Sequence, residues 1–391
     1  GCPPTANLDV LRRPNQGDAY MVELIWDGKY DQHGKRAAPL RLKLPFQTVE
    51  TVNESAQERQ LSLDRLLSGR PAGWRNRLIW GDKKYVLPAL LDEFAGQVDL
   101  IYIDPPFNVG ADFSYQVTIE DEKFTKEPSI IEQKAYRDTW GKGVDSYLQW
   151  FYETVVILRD LLADDGTIYV HLDWHVGHYA KVVLDEVFSK QLMINEIIWY
   201  YENKLGTGGD VFDSHHDTLY AYGKSEKHTH NPQFRPVKVQ KPQPVTQKIE
   251  GKRVWLRDEE GNRIYAMSSE ERKIGDVWQI PIINPVANER LGYPSQKPEA
   301  LLERIINASS NEGDLVLDCF CGSGTTAATA EKLNRRWITC DLGRFAVHAT
   351  RKRLLSIENV KPFVVQNLGK YERQAWQAAE FGGPENAAQV I

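Results

Sequence analysis

Asp104-Pro105-Pro106-Phe107 follows directly on the apolar run Leu100-Ile101-Tyr102-Ile103, and its residue types suit it to hold an amine. Proline fixes its own φ and drives the residue before it to extended geometry. A strand that stops at two prolines therefore presents its last carboxylate and the next carbonyls in a stiff turn. The Asp104 carboxylate and the Pro105 carbonyl can together accept both hydrogens of a flat amino group, while Phe107 offers a face to a heteroaromatic ring. That combination fits an amine carried on a base turned out of its stack.

A second constellation begins at Asp314, where the chain reads Asp-Leu-Val-Leu-Asp-Cys-Phe-Cys-Gly-Ser-Gly-Thr-Thr-Ala. The pattern is a short buried strand, a glycine turn and a small-residue helix. Gly322 and Gly324 let the backbone approach a ligand closely, and the strand Arg336 to Cys340 closes on Asp341, where a carboxylate can bind the hydroxyls of a ribose. The order strand, glycine turn, helix, strand, acid suits a nucleoside-bearing cofactor, dinucleotides included. No glycine is followed by Lys-Ser or Lys-Thr at P-loop spacing, which argues against a P-loop NTPase.

The two constellations are remote in the chain, so only the fold can join them. Strand candidates cover 76–80, 98–103, 166–172, 194–200, 218–222, 314–320 and 336–340. Helical spacing of Leu148, Phe151, Tyr152, Val155, Leu158 and Leu162 predicts a helix over 147–162, and a second is expected over 175–188. Alternation of strands and helices predicts an α/β fold with a doubly wound, mostly parallel seven-stranded sheet covered on both faces. Ligands in such sheets lie beyond the carboxyl ends of strands, where the winding reverses, so the strands ending at Asp104 and Phe320 should be neighbours. The connection from Asp104 to about Asp145 is long enough to be functional, and a mobile element that closes over the substrate is expected there. His215, His216 and Asp217 read as a hydrogen-bonded turn rather than a metal site.

On these residues the chain resembles the S-adenosylmethionine-dependent DNA amino-methyltransferases of the permuted β class, in which the Asp-Pro-Pro motif precedes the recognition segment and the Phe-x-Gly-x-Gly motif follows it. Phe320-Cys321-Gly322-Ser323-Gly324 matches the second motif, Tyr293-Pro294-Ser295-Gln296-Lys297-Pro298 is similar to the segment upstream of it, and Trp80-Gly81-Asp82 to the family's turn against the cofactor adenine. The resemblance covers about 76 to 354 and implies a Rossmann-like methyltransferase fold with S-adenosylmethionine as cofactor. It implies Asp104, Pro105, Pro106 and Phe107 as the catalytic motif, and Asp82, Asp104, Ser295, Lys297, Asp318, Phe320, Gly322, Ser323, Gly324, Thr325 and Asp341 around the cofactor. Asp rather than Ser at the head of the motif points to adenine in double-stranded DNA, with cytosine N4 as the alternative product. The absence of a Pro-Cys pair disfavours methylation of cytosine carbon. Stand-alone and type III-like modification enzymes are the nearest types, leaving a homodimer and a partner restriction nuclease open. A nicotinamide-dependent oxidoreductase would leave Asp104 to Phe107 unexplained, and a non-catalytic DNA-binding subunit would not need both motifs.

The net charge is −6, so overall electrostatics do not announce a nucleic-acid partner. The distribution does. Lys238, Lys241, Lys248, Lys252 and Arg253 lie in a basic stretch interleaved with Phe234 and Trp255, which suits a phosphate backbone. The implied organisation is an extension without assigned role (1–75), a catalytic half (76–225), a target-recognition segment (226–290), a cofactor-binding half (291–360) and a tail (361–391). Cys2, Cys319, Cys321 and Cys340 lack zinc-site spacing, and no metal is expected. With no long apolar run, no membrane partner and a reducing, cytoplasmic, nucleoid-associated location are expected.

Overall fold

The computed structural model describes residues 22–55, 57–61, 73–106, 115–119, 122–126, 143–204, 210, 212–237, 240–249, 251–293 and 295–369, with backbone only for 115–126. Phe107 and Lys238 lie outside these residues, as does most of the connection expected to close over the substrate. Within that connection Tyr115–Ile119 pairs antiparallel with Glu122–Lys126.

One large sheet organises the molecule. Its strands are β1 (Gln47–Val52), β2 (Asn76–Trp80), β3 (Val98–Ile103), β4 (Leu162–Leu172), β5 (Met193–Tyr200), β6 (His216–Gly223), β7 (Val277–Gln279), β8 (Leu315–Asp318), β9 (Arg336–Asp341) and β10 (Phe363–Asn367). Their spatial order is β1-β10-β2-β9-β8-β3-β4-β6-β5-β7. The sheet is mostly parallel; β1 runs antiparallel to β10, and β6 runs antiparallel to β4 and β5. All seven expected strands are present, but the sheet has ten. β1 (QTVETV) is too polar to read as buried and β7 has only three residues. Residues 363–367, expected from sequence to lie in a tail, are instead a strand paired with both β1 and β2.

Period-two alternation explains how the sheet is covered. In β3, Ile101 and Ile103 join one core and Leu100 and Tyr102 the other. The first core is closed by α1 (Lys83–Phe94), α2 (Val144–Leu161) and α3 (Gly177–Phe188), the second by α4 (Glu299–Ser309), α5 (Thr325–Lys332) and α6 (Arg344–Leu355). β3 and β8 are direct neighbours, with Val316 opposite Leu100 and Leu317 opposite Ile101. From β3 the chain winds to β4 on one side, and from β8 to β9 on the other, so the reversal falls between them. No helix among the described residues is long and apolar enough to cross a membrane.

The N-terminal segment straps the first core. Trp26 and Leu44 are buried in it, and Lys29, fully enclosed, pairs with Glu186 of α3 at 2.8 Å. Residues 234–273 form an arm of short antiparallel pairs, rooted at the end of the sheet where β6 finishes; Asn231 there donates from its backbone N–H to the Ala308 carbonyl at the end of α4.

Candidate active site

Asp104 stands immediately after β3, with Pro105 buried behind it. Its Oδ2 receives Lys297 Nζ in a close ion pair. Its Oδ1 is buried and has no hydrogen-bond partner among the described residues. A carboxylate oxygen in that condition costs stability unless something else donates to it, so it marks where a donor is meant to arrive. Lys297, expected near the cofactor, is brought to the Asp104 carboxylate.

Beneath Asp104 lies a buried chain of polar groups that the sequence motifs do not announce. His171, fully enclosed on β4, has Nδ1 at 3.6 Å from Asp104 Oδ1 and 3.0 Å from the Tyr102 hydroxyl. Its Nε2 is 3.2 Å from Asp217 Oδ2, and Tyr201 donates to Asp217 Oδ1 at 3.2 Å. Burial alone would raise the Asp217 carboxyl, but the His171 hydrogen bond and charge, with Lys297 and Tyr201, hold it below the ordinary carboxylate range. Burial, then the charge of Asp104, keeps Tyr102 firmly protonated. A histidine inside an apolar strand reads as core, and only its place two residues before Asp173, at the strand's carboxyl end, hints otherwise.

The glycine turn follows β8. Gly322 has φ +51°, and its N–H donates to Asp341 Oδ2 at 2.9 Å; a Cβ there would come within 3.3 Å of the Tyr293 ring. Asp341 Oδ1 accepts from Gly343 N–H at 2.8 Å. A carboxylate at the end of this strand, beside the glycine turn, is of the type that binds ribose hydroxyls. The Gly81 N–H donates to the Asp341 carbonyl at 3.1 Å, which sets the Trp80-Gly81-Asp82 turn beside it. This group of strand ends fits a nucleoside.

Several expected ligand residues serve the turn itself. Asp318 is buried, with Oδ1 accepting from Phe320 N–H at 2.9 Å and Oδ2 from the Thr326 hydroxyl at 2.6 Å; burial pushes it up to about 7. Gly324 caps α5 at φ +74°, and its missing Cβ would strike Thr350 of α6 at 2.5 Å. The glycine is thus required by helix packing as well as by backbone geometry. Thr325 donates to the Lys297 carbonyl at 3.1 Å and accepts from Arg353 at 2.8 Å, fastening the Lys297 segment to α5. Ser323 is buried beside it, 3.4 Å from the Thr325 hydroxyl, and Ser295 is exposed. Asp82 caps α1 by accepting from Lys84 N–H at 2.8 Å. Phe320 packs on Trp150, which lies over the ammonium of Lys83 at 4.1 Å; burial pushes that lysine down to about 8.

On the arm, Lys241, Lys248, Lys252 and Arg253 are exposed. Cross-strand register sets Lys248 opposite Arg253, on one face with Trp255, and Lys252 opposite Ile249 on the other. Arg263 covers the Trp255 ring at 5.0 Å. A cavity of about 820 Å³ is lined among others by Met193, His228, Trp278 and Arg304; no motif residue lines it. Cys319, Cys321 and Cys340 are free buried thiols, and no group of potential metal ligands occurs among the described residues.

Residues 98–352 match the N6/N4 methyltransferase family, described as DNA methylase. The chain is 27% identical over 332 residues to the type II methyltransferase M.EcaI of Enterobacter cloacae, covering 71% of this chain and 69% of that one. It is 26% identical over 260 residues to the DNA adenine methyltransferase YhdJ of Escherichia coli, covering 66% and 77%. A solved putative DNA modification methylase from Thermus thermophilus, complexed with S-adenosyl-L-methionine, aligns with TM-score 0.43 and 16% identity over 75% of this chain and 97% of that one.

Proposed function

The chain belongs to the N6/N4 DNA methylase family, and from that premise we propose that it methylates the exocyclic nitrogen of adenine within double-stranded DNA of defined sequence. S-adenosylmethionine, when bound, supplies a methyl group on a positively charged sulfur. The observation that carries the reading is the buried Oδ1 of Asp104, unsatisfied among the described residues. Lys297 holds the other oxygen, so the carboxylate offers one fixed acceptor rather than a rotating pair. Together with the Pro105 carbonyl it takes the two hydrogens of an amine, which favours a pyramidal nitrogen with its lone pair available for bonding. An aromatic amine needs that help because its lone pair is delocalised into the ring.

Adenine and cytosine both carry such an amine. Two considerations favour adenine: aspartate rather than serine heads the motif, and one relative bears the adenine activity in its name. The basic, aromatic face of the arm supports duplex DNA as the partner, since phosphate contacts by Lys and Arg are what hold a protein on DNA. Gly322, Asp341 and the Gly81 turn would hold the nucleoside portion of the cofactor.

Nucleoside digestion and mass spectrometry of DNA incubated with the protein and S-adenosylmethionine tests the proposal. N6-methyladenine is expected. N4-methylcytosine would overturn the choice of base, and methylation on cytosine carbon would overturn the role of the amine acceptor.

A further inference from the structure

Methyl transfer to an amine leaves a proton to dispose of. As the nitrogen lone pair forms the new bond to carbon, the carbon–sulfur bond breaks and sulfur keeps its electron pair; the nitrogen, now positive, must release one hydrogen as a proton. Asp104 Oδ1 is the acceptor aimed at that hydrogen on the reading above, on which this inference rests. If the proton stayed there, Asp104 would become neutral and its ion pair with the Lys297 ammonium would be lost.

We propose that His171 stores this proton: Asp104 Oδ1 passes it to His171 Nδ1, and the resulting imidazolium is held between Asp104 and Asp217 until the product leaves. Asp217, an acceptor only, lies 3.2 Å from Nε2 and fixes the hydrogen of the neutral ring there, which leaves Nδ1 as the basic nitrogen. Nδ1 faces Asp104 Oδ1 at 3.6 Å, with the Tyr102 hydroxyl at 3.0 Å as its resting donor. That hydroxyl turns away when Nδ1 is protonated. Tyr102 and Asp104 from β3 and Asp217 from β6 face His171; Tyr201 after β5 and Lys297 before α4 bear on Asp217, Asp318 of β8 bears on Tyr102, and the Trp199 ring meets the imidazole edge-on at 5.5 Å. Asp104 and Asp217 thus flank the imidazole, one at each ring nitrogen. His171 is completely enclosed, so it exchanges protons through its carboxylate partners Asp104 and Asp217 rather than directly with solvent. It is a positioning residue that acts through the catalytic carboxylate.

Single-turnover methyl transfer measured from pH 5.5 to 9 tests this. The wild type should slow at acidic pH as His171 arrives already charged. His171→Asn should cut the rate about 10²-fold and abolish that acidic fall. Asp217→Asn should move the fall to lower pH, and binding of S-adenosylmethionine and DNA should stay within twofold in both. Independently of turnover, nitrogen-15 spectra of the nine imidazoles should lose one titration in His171→Asn, and that titration should shift in Asp104→Asn. A His171→Asn enzyme that keeps its rate within twofold, or keeps the acidic fall, overturns the proposal. Should that variant not fold, an acidic fall unmoved in both Asp217→Asn and Tyr102→Phe overturns it equally. A wild type that methylates no amine would refute the functional reading instead, while an imidazole titration insensitive to Asp104→Asn would refute the relay alone.

Discussion

Asp104 and Asp318 terminate neighbouring strands of one sheet, yet they end in opposite states. Asp318 spends both oxygens on its own turn, donated to by Phe320 N–H and the Thr326 hydroxyl, and burial pushes its pKa up to about 7. Asp104 has one oxygen on Lys297 and one without a hydrogen-bond partner among the described residues. The same residue type at equivalent strand ends thus closes its hydrogen bonds locally in one case and leaves an acceptor open in the other. Asp341, third in the row, anchors Gly322 and Gly343 through their backbone N–H groups.

The contrast is broken most sharply at Asp104. Asp104→Ala should lower methyl transfer by about 10³-fold, the scale of losing a preorganised hydrogen-bond partner in a water-excluded site, while leaving the fold intact. A melting curve beside a quenched-flow assay checks both halves; turnover near wild type would remove Asp104 from the chemistry. Asp341→Ala should come next, weakening S-adenosylmethionine binding by about 1.5 to 3 kcal/mol through loss of a charge-assisted bond, as read by calorimetry. Unchanged affinity would put the ribose elsewhere.

Asp318 should respond in stability rather than binding. Its folded pKa lies above the value of an unfolded aspartate, so its protonated form favours the folded state. That stabilisation is complete below about pH 4 and is lost as pH rises through about 7. Melting of the wild type should therefore fall relative to Asp318→Asn between pH 5 and 7, by about 2 kcal/mol. Parallel curves for the two proteins would show that Asp318 is ionised in the fold.

The smallest single effects belong to the arm, where none of the described residues is buried. Neutralising Lys241, Lys248, Lys252 and Arg253 should lower the logarithmic salt slope of DNA binding by about 0.9 for each phosphate the arm no longer neutralises. Lys248 and Arg253 share the Trp255 face, so their pair should change the slope more than Lys252 does. Equal slopes in all variants would leave these cations as solvated surface.

The elements legible in the sequence were those whose chemistry is local. Proline pairs, glycine turns and apolar alternation in β2 to β6, β8 and β9 depend on neighbouring residues, and they placed Asp104 and the glycine turn at adjacent strand ends. What stayed hidden depends on partners far along the chain. His171 becomes notable only when β6 sets Asp217 against it, and Lys297, expected at the cofactor, shows its pairing with Asp104 only when α4 begins beside it. The edge strands were missed because an edge tolerates polar residues and short lengths. Gly324 was legible as a special residue but not for its reason, because Thr350 arrives from the next helix.

The pairing of β1 with β10 also bears on how the chain is made. Strand 47–52 hydrogen-bonds to 363–367, which in turn lies against 76–80, so an early-synthesised segment finds its partner only after some three hundred further residues. Contacts of such sequence separation are slow to form. On the ribosome, the Asn76–Trp80 strand must wait with an unpaired edge, exposed to wrong partners, until the last strand slots in. Nascent chains stalled before Phe363 should consequently remain open to proteolysis around the first strand, and chains released beyond Asn367 should not.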